Sequence, residues 1–363
     1  MVGEIPVDDV LITQMGEWLG DEEGMHTTRP NLIARCIESV ARAAPRDLLQ
    51  EWLQQLPPWD AMPRLEEWLV DVAEAPKTLY GMAIARILIV SMVARALDPG
   101  CVARYVIILE GEENTGKSNL VRSLASPQWY FAMTRDFESK EAHMDIQGAW
   151  IAELPELDSL GRTLETRLKA FITLREDSWI PKYANHRISA LRRTIFVGTI
   201  NPEDPYLRGQ TGNTRFLPIQ TGAIDLPLFD GMRDQLFAEA LCYYRTHTED
   251  WWEFSEEALA GAVEERERRR VVNEYEDLLR MWLYNLWTES LPPPLRRQTT
   301  WQEIAEKALR IESPEKWKDK ALQMQIAQAM RAIGWRRIKK RAPPDGLPVW
   351  LWEAPPQWEQ IAR

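Results

Sequence analysis

A chain of 363 residues with 45% hydrophobic and 27% charged residues can bury a sizeable core and is expected to divide into two or three domains. Its formal net charge of −11 excludes a uniformly basic nucleic-acid coat and confines any such contact to local patches. The cysteines Cys36, Cys101 and Cys242 are far apart and form no C-x-x-C pair, which excludes a disulfide framework or zinc site and fits a reducing cytosol; the acidic opening MVGEIPVDDV is not expected to be a secretory signal.

Residues 1–75 predict an N-terminal helical domain. NLIARCIESVARAAPRDLLQEWLQQL spaces its apolar residues at threes and fours up to the PPWD break, and PRLEEWLVDVAEA restarts a helix with Pro63 near its first turn. Met82 to Leu97 is the most apolar long segment. It is short for a membrane span and carries Arg86 and Arg95, so a buried helix is expected and no membrane contact.

Residues 76–245 change pattern. RYVIILE (104–110), GAWIAEL (148–154) and RTIFVGTIN (193–201) are short apolar runs bounded by turn residues, as in strands of a sheet covered on both faces, and predict a three-layer α/β domain. Residues 246–289 predict a helical linker or lid, beginning with the charge-laced EEALAGAVEERERRRVVNEYEDLLRMWLYNLW. Beyond the linker SLPPPLRRQ, residues 290–363 carry two helices and two strand-like runs flanking Pro-Pro-Asp-Gly, which predicts a winged-helix-like module.

The most specific motif is Gly111-x-x-x-x-Gly116-Lys117-Ser118, which has the G-x-x-x-x-G-K-[ST] spacing, follows a predicted strand and precedes a predicted helix. Glycines let such a loop wrap until its N–H groups face phosphate oxygens, and the helix N-terminus adds partial positive charge. Gly111, Asn114, Thr115, Gly116, Lys117, Ser118 and Asn119 are the expected ATP-binding residues, with Lys117 on the β- and γ-phosphates and Ser118 on Mg²⁺. Glu153 closes an apolar strand and Glu156 follows Pro155. The two form an acidic pair read as metal-side (Glu153) and catalytic base (Glu156), with the reverse assignment open. Asn201 ends the next strand, where an amide can orient the attacking water. Arg215 is a candidate to stabilise phosphoryl charge on a neighbouring subunit's nucleotide, a task for which its planar fork suits it better than lysine.

Between Pro57 and Ile219, the successive segments PPWDAMPRLEEWL, ARALDPG, the glycine loop, WIAELPEL, RLKAFIT with REDSWIPKY, RRTIFVGTIN and TGNTRFLPI resemble the motifs of the virulence-associated E family, replication ATPases of phages and mobile elements similar to superfamily 3 helicases. The resemblance implies a P-loop AAA+ type domain in a homo-oligomeric ring, a hexamer, translocating on single-stranded DNA. It makes Asn201 the sensor and Arg215 a finger acting in trans. Thr214 departs from the pattern, since members often have a second basic residue there, and no primase-polymerase half is present, which implies a separate primase.

Two stretches are expected to grip DNA. DSWIPKYANHRISALRR reads as a hairpin with its turn near Ala184 and Asn185, like the pore hairpin of superfamily 3 helicases, with Lys182, Tyr183, His186 and Arg187 near the tip. RRIKKR supplies Arg336, Arg337, Lys339, Lys340 and Arg341, with Trp350 and Trp352 on the returning strand. Together these features predict a cytoplasmic, Mg²⁺- and ATP-dependent helicase acting on single-stranded and forked DNA. The alternatives are an origin-binding initiator or loader without processive unwinding, a P-loop small-molecule kinase, and an inactive ring subunit.

Overall fold

The computed structural model describes residues 9–25, 29–43, 46–134, 139–155, 162–180, 187–201, 205–207, 213–247, 250–271, 273–288, 298–311, 313, 315–316, 319–341 and 348–356. The chain forms two compact units, Met1–Leu56 and Pro57–Arg363. The first contains α1 (Asp9–Asp21), α2 (Pro30–Ala43) and α3 (Leu48–Gln54). Asp47 caps α3 by accepting from the Gln50 amide at 3.1 Å, and Ile33, Leu49 and Leu53 are buried.

The first unit ends before residue 75, the expected boundary, because α4 (Trp68–Ala73) belongs to the second. Trp68 is fully buried, donates its indole N–H to the Ala85 carbonyl at 3.0 Å and meets Phe229 at 5.8 Å between ring centroids. The helix expected from Pro63 starts only at Trp68 and stops where Glu74 turns left-handed, at φ 51°. The second unit then runs on to Arg363, so the segments expected at 246–289 and 290–363 are parts of one unit.

Its centre is α5 (Leu79–Leu97), capped by Thr78, whose hydroxyl accepts from the Gly81 amide at 3.0 Å. By length and composition α5 could cross a membrane, yet most of it is buried inside the protein, as a core helix should be. Then follow β1 (Val106–Glu110), α6 (Lys117–Ala125), β2 (Tyr130–Ala132), α7 (Lys140–Asp145), β3 (Ile151–Pro155), α8 (Arg162–Ile172), β4 (Glu176–Trp179), β5 (Ile188–Leu191), β6 (Ile195–Ile200), β7 (Phe216–Gln220) and α9 (Leu226–Thr246).

Five strands form one parallel sheet in the order β2-β3-β6-β1-β7. Val106, Ile108, Ala152, Leu154 and Phe196 pack on one face against Ala142 of α7 and Leu168, Phe171 and Ile172 of α8. The intervening residues face α5 and α6, with α9 laid against both helices. The sheet is thus covered on both faces, which is why its strands read as continuous apolar runs.

β4 and β5 pair antiparallel from Glu176 opposite Leu191 to Trp179 opposite Ile188, as the predicted hairpin requires; its expected tip, including Lys182, Tyr183 and His186, lies outside the described residues. A buried ion pair fixes its root. The Arg192 guanidinium grips both Asp177 oxygens, one at 2.7 Å, and donates to the Phe171 carbonyl at 2.5 Å, while His143 Nδ1 lies 2.6 Å from Asp177 Oδ1. Arg192 also lies over the Phe171 ring, 4.5 Å from its centroid.

The single helical run expected after residue 246 is divided into α10 (Glu256–Arg268) and α11 (Tyr275–Thr288), because Arg270 forms a β-bridge with Leu207 and an ion pair with Glu276 at 3.0 Å. The C-terminal part holds β8 (Gln298–Thr300), a helical turn at Trp301–Glu303 with a Thr300–Glu303 capping box, α12 (Lys320–Ala332), β9 (Arg336–Arg341) and β10 (Pro348–Glu353). Its sheet has the order β8-β10-β9 and packs Trp352 with Leu279, Leu283, Ile326 and Trp335.

Removing one partner of a buried ion pair strands the other charge. Arg192→Met should therefore lower unfolding free energy by about 3 kcal/mol in urea denaturation, whereas Arg46→Met, at an exposed pair, should change it by under about 1 kcal/mol.

Candidate functional site

The site forms where the parallel strands end. All of β1 is buried through Glu110, and the chain must turn sharply at Gly111, where an added Cβ would lie 2.5 Å from the Thr221 carbonyl. Asn114 (φ 61°) and Gly116 (φ 98°) take left-handed conformations, and α6 starts at Lys117. Lys117 is buried, and its ammonium donates to the carbonyls of Gly111 at 2.8 Å and Glu112 at 2.5 Å and to the Thr115 hydroxyl at 3.4 Å. Burial draws its pKa below the usual lysine value. A cation is therefore held inside the loop, beside the amides that open α6. Ser118 and Asn119 are exposed on that first turn.

Behind the loop, Glu153 is 2% exposed on β3. Its Oε1 accepts from the Ser118 hydroxyl at 2.6 Å and from Thr199 on β6, and its Oε2 accepts from Tyr130 on β2. Burial, and then the bond to Glu153, push the Tyr130 phenol well above its ordinary pKa and keep it a donor. Sequence reasoning singled out neither Thr199 nor Tyr130. Thr199 left a signal, a hydroxyl inside the apolar run IFVGTI, whereas Tyr130 left none.

Ser118 and Glu153 form a hard-oxygen pair suited to Mg²⁺, which characteristically takes one or two protein ligands and keeps waters and phosphate oxygens. Among the described residues no group of three or more His, Cys, Asp or Glu is arranged to hold a metal.

Asn201 follows β6 at the same end of the sheet. Ile200 pairs with Glu110, its carbonyl accepts from the Gly111 amide at 3.3 Å, and Asn201 lines a cavity of about 600 Å³ with Gly111, Thr115, Gln220 and Thr221. Glu156 lies outside the described residues. Glu110, which the sequence did not mark, is clamped from beyond the sheet: Arg269 grips both its oxygens at 2.5 Å and the Tyr206 hydroxyl donates to it at 2.5 Å.

Arg215 sits elsewhere. It closes a 3-10 turn (Asn213–Arg215) directly before β7, whose first residue pairs with Val106 and whose last pairs with Glu110. Five residue steps, roughly 17 Å of strand, separate it from the loop end of the sheet. Of the expected DNA-binding residues, Arg187 is exposed beside β5, Arg336, Arg337, Lys339 and Lys340 are exposed on β9, and Arg341 is the last residue of that strand. Loss of one donor to a buried carboxylate leaves that oxygen unsatisfied. Tyr130→Phe should therefore cost about 2 kcal/mol of stability, read by urea denaturation at constant slope.

No curated protein matches the chain. A solved structure described as the A form apo structure of the NrS-1 C-terminal region (305–718) is similar at 17% identity and a TM-score of 0.41, covering 77% of this chain and 69% of that one. The model of the virulence-associated protein E-like domain matches residues 53–271, which include the glycine loop, Glu153, Asn201, Arg215 and the clamp on Glu110. With more than half its length matched, the chain belongs to the virulence-associated protein E-like family.

Proposed function

We propose that the protein is an AAA+ type, Mg²⁺-dependent ATPase that drives a DNA helicase of the superfamily 3 kind, working in the cytoplasm as a ring of identical protomers in phage or mobile-element replication. The observation that carries this reading is the Ser118–Glu153 contact of 2.6 Å directly behind the Lys117 loop, with β6, which Asn201 directly follows, interposed between the loop strand and the acidic strand. Loop, acid and amide then share one edge, as ATP hydrolysis requires.

The loop amides and the Lys117 ammonium bind the phosphates, the ammonium exchanging its carbonyl partners for phosphate oxygens. Ser118 and Glu153 would hold Mg²⁺, which would supply neutralisation of the phosphate charge. Thr199 and Tyr130 would keep Glu153 aimed at that position. Asn201 orients a water, Glu156 takes its proton, the water oxygen bonds to the γ-phosphorus, and the bond to the ADP oxygen breaks. Glu153 is the alternative base.

Arg215, roughly 17 Å of strand away from the loop end of the sheet, suits the site of an adjacent protomer, where its guanidinium would stabilise the transferring group. This supports a ring, of which six members is the expected number. The β4–β5 hairpin, rooted in Asp177 and Arg192, would bring Arg187 to a strand in the pore, with Lys182, Tyr183 and His186 as the further residues expected to contact it. A separate primase would supply primers.

The sheet β8-β10-β9 with its helices supports a winged-helix module, and its five cations in 336–341 favour a second reading, an origin-binding initiator or loader. ATP-dependent duplex binding without unwinding of a fork would select that reading.

ATP hydrolysis measured with and without single-stranded DNA tests the proposal. Stimulation by DNA and unwinding of a forked substrate are expected; absence of both rejects the motor. Lys117→Ala should lose nucleotide binding and hydrolysis. Arg215→Ala should bind ATP normally and hydrolyse it about a thousandfold more slowly. Mixed with Asn201→Ala, which is defective in a different element, it should regain activity, because some interfaces then combine an intact Asn201 with an intact Arg215. No recovery means that Arg215 acts in its own protomer or not at all.

A further inference from the structure

The hairpin of β9 and β10 carries a feature that a wing lying on duplex phosphates has no need of. Trp350 is 49% exposed, while Trp352, two residues on and therefore on the same face, is buried in the core with Trp335. The face runs out of the module and ends in a half-exposed indole. Lys339 is directly opposite Trp350 in the ladder and Arg337 is opposite Trp352, so both cations share that face. The Arg337 guanidinium lies 4.6 Å and the Lys339 ammonium 5.6 Å from the Trp350 ring centroid. Among the described residues neither is paired with a carboxylate. Lys340, on the opposite face, lies 3.9 Å from Glu353.

We infer that Trp350, Arg337 and Lys339 form a binding platform for single-stranded DNA, in which an unpaired base stacks on the indole and the two cations hold the adjacent phosphates. Stacking needs an exposed aromatic face and is indifferent to sequence, because every base has such a face. A duplex keeps its bases stacked on one another and can use only the cations. Charge selects the partner. Five of the six residues 336–341 are basic in a chain of net charge −11, so the patch is attractive to polyanions where most of the surface is not. β9 is the outer strand of its sheet, which leaves the cations open from the side. The platform refines the assignment of DNA binding to this hairpin and rests on that reading. It adds an aromatic contact and an unpaired substrate.

Fluorescence anisotropy of labelled oligo-dT and of a blunt duplex, titrated with the full-length protein at several salt concentrations, tests it. Trp350→Ala should weaken oligo-dT binding about tenfold and leave duplex binding within about twofold, with an unchanged salt slope. Trp350→Phe should retain most of the affinity, which separates lost stacking from lost folding. Lys339→Gln should weaken both substrates and reduce the salt slope by about one. The inference is overturned if wild type does not bind oligo-dT, if Trp350→Ala binds it as wild type does, if both substrates lose equally, or if polyglutamate competes as well as oligo-dT. Stacking can fail while DNA-stimulated ATP hydrolysis stands, and Trp350-dependent binding can stand in a protein that hydrolyses no ATP, so the two readings fall separately.

Discussion

A carboxylate buried within a parallel sheet must be satisfied from its neighbours, and Glu153 is satisfied by three hydroxyls from three different elements. Tyr130 reaches it from the edge strand, Thr199 from the strand on the other side, and Ser118 from the first turn of α6. An isolated buried charge costs several kcal/mol, so these donors are a condition for the acid to stay at that depth. The same bonds tie the loop's helix to two strands. The position of Lys117 and the position of the acid behind it are thus one constraint.

Lys117 is likewise buried with its partners supplied from close by. Its ammonium takes carbonyls of its own loop as partners, which holds the loop wrapped around a positive charge. The loop is thus held in its wrapped form by its own internal contacts.

Much of this was legible in the sequence, for identifiable reasons. β1, β3 and β6 are continuous apolar runs closed by turn residues, and the glycine loop announces itself by spacing. The β4–β5 and β9–β10 hairpins follow from paired runs around turn residues. What could not be read was everything that depends on which strands are neighbours. Tyr130 and Thr199 meet Glu153 only because β2 and β6 flank β3, and Arg215 is remote from the loop only because β7 runs parallel to β1. The first compact unit ends earlier than residue 75 for a similar reason: Trp68 is held by Ala85 and Phe229, the second far along the chain. Glu110 looked like an ordinary strand end until Arg269 and Tyr206 closed on it.

The clamp on Glu110 gives the molecule a mechanical linkage. Glu110 immediately precedes Gly111, Arg269 immediately follows α10, and Tyr206 belongs to the segment after Asn201. Any displacement of the loop must either drag the end of α10 with it or break a buried bidentate ion pair. Conversely, a torque applied to α10 is delivered to the residue before the glycine turn. By thermodynamic reciprocity, whatever energy the loop gains from a particular position of α10 is the energy with which the loop's own conformation holds α10 there.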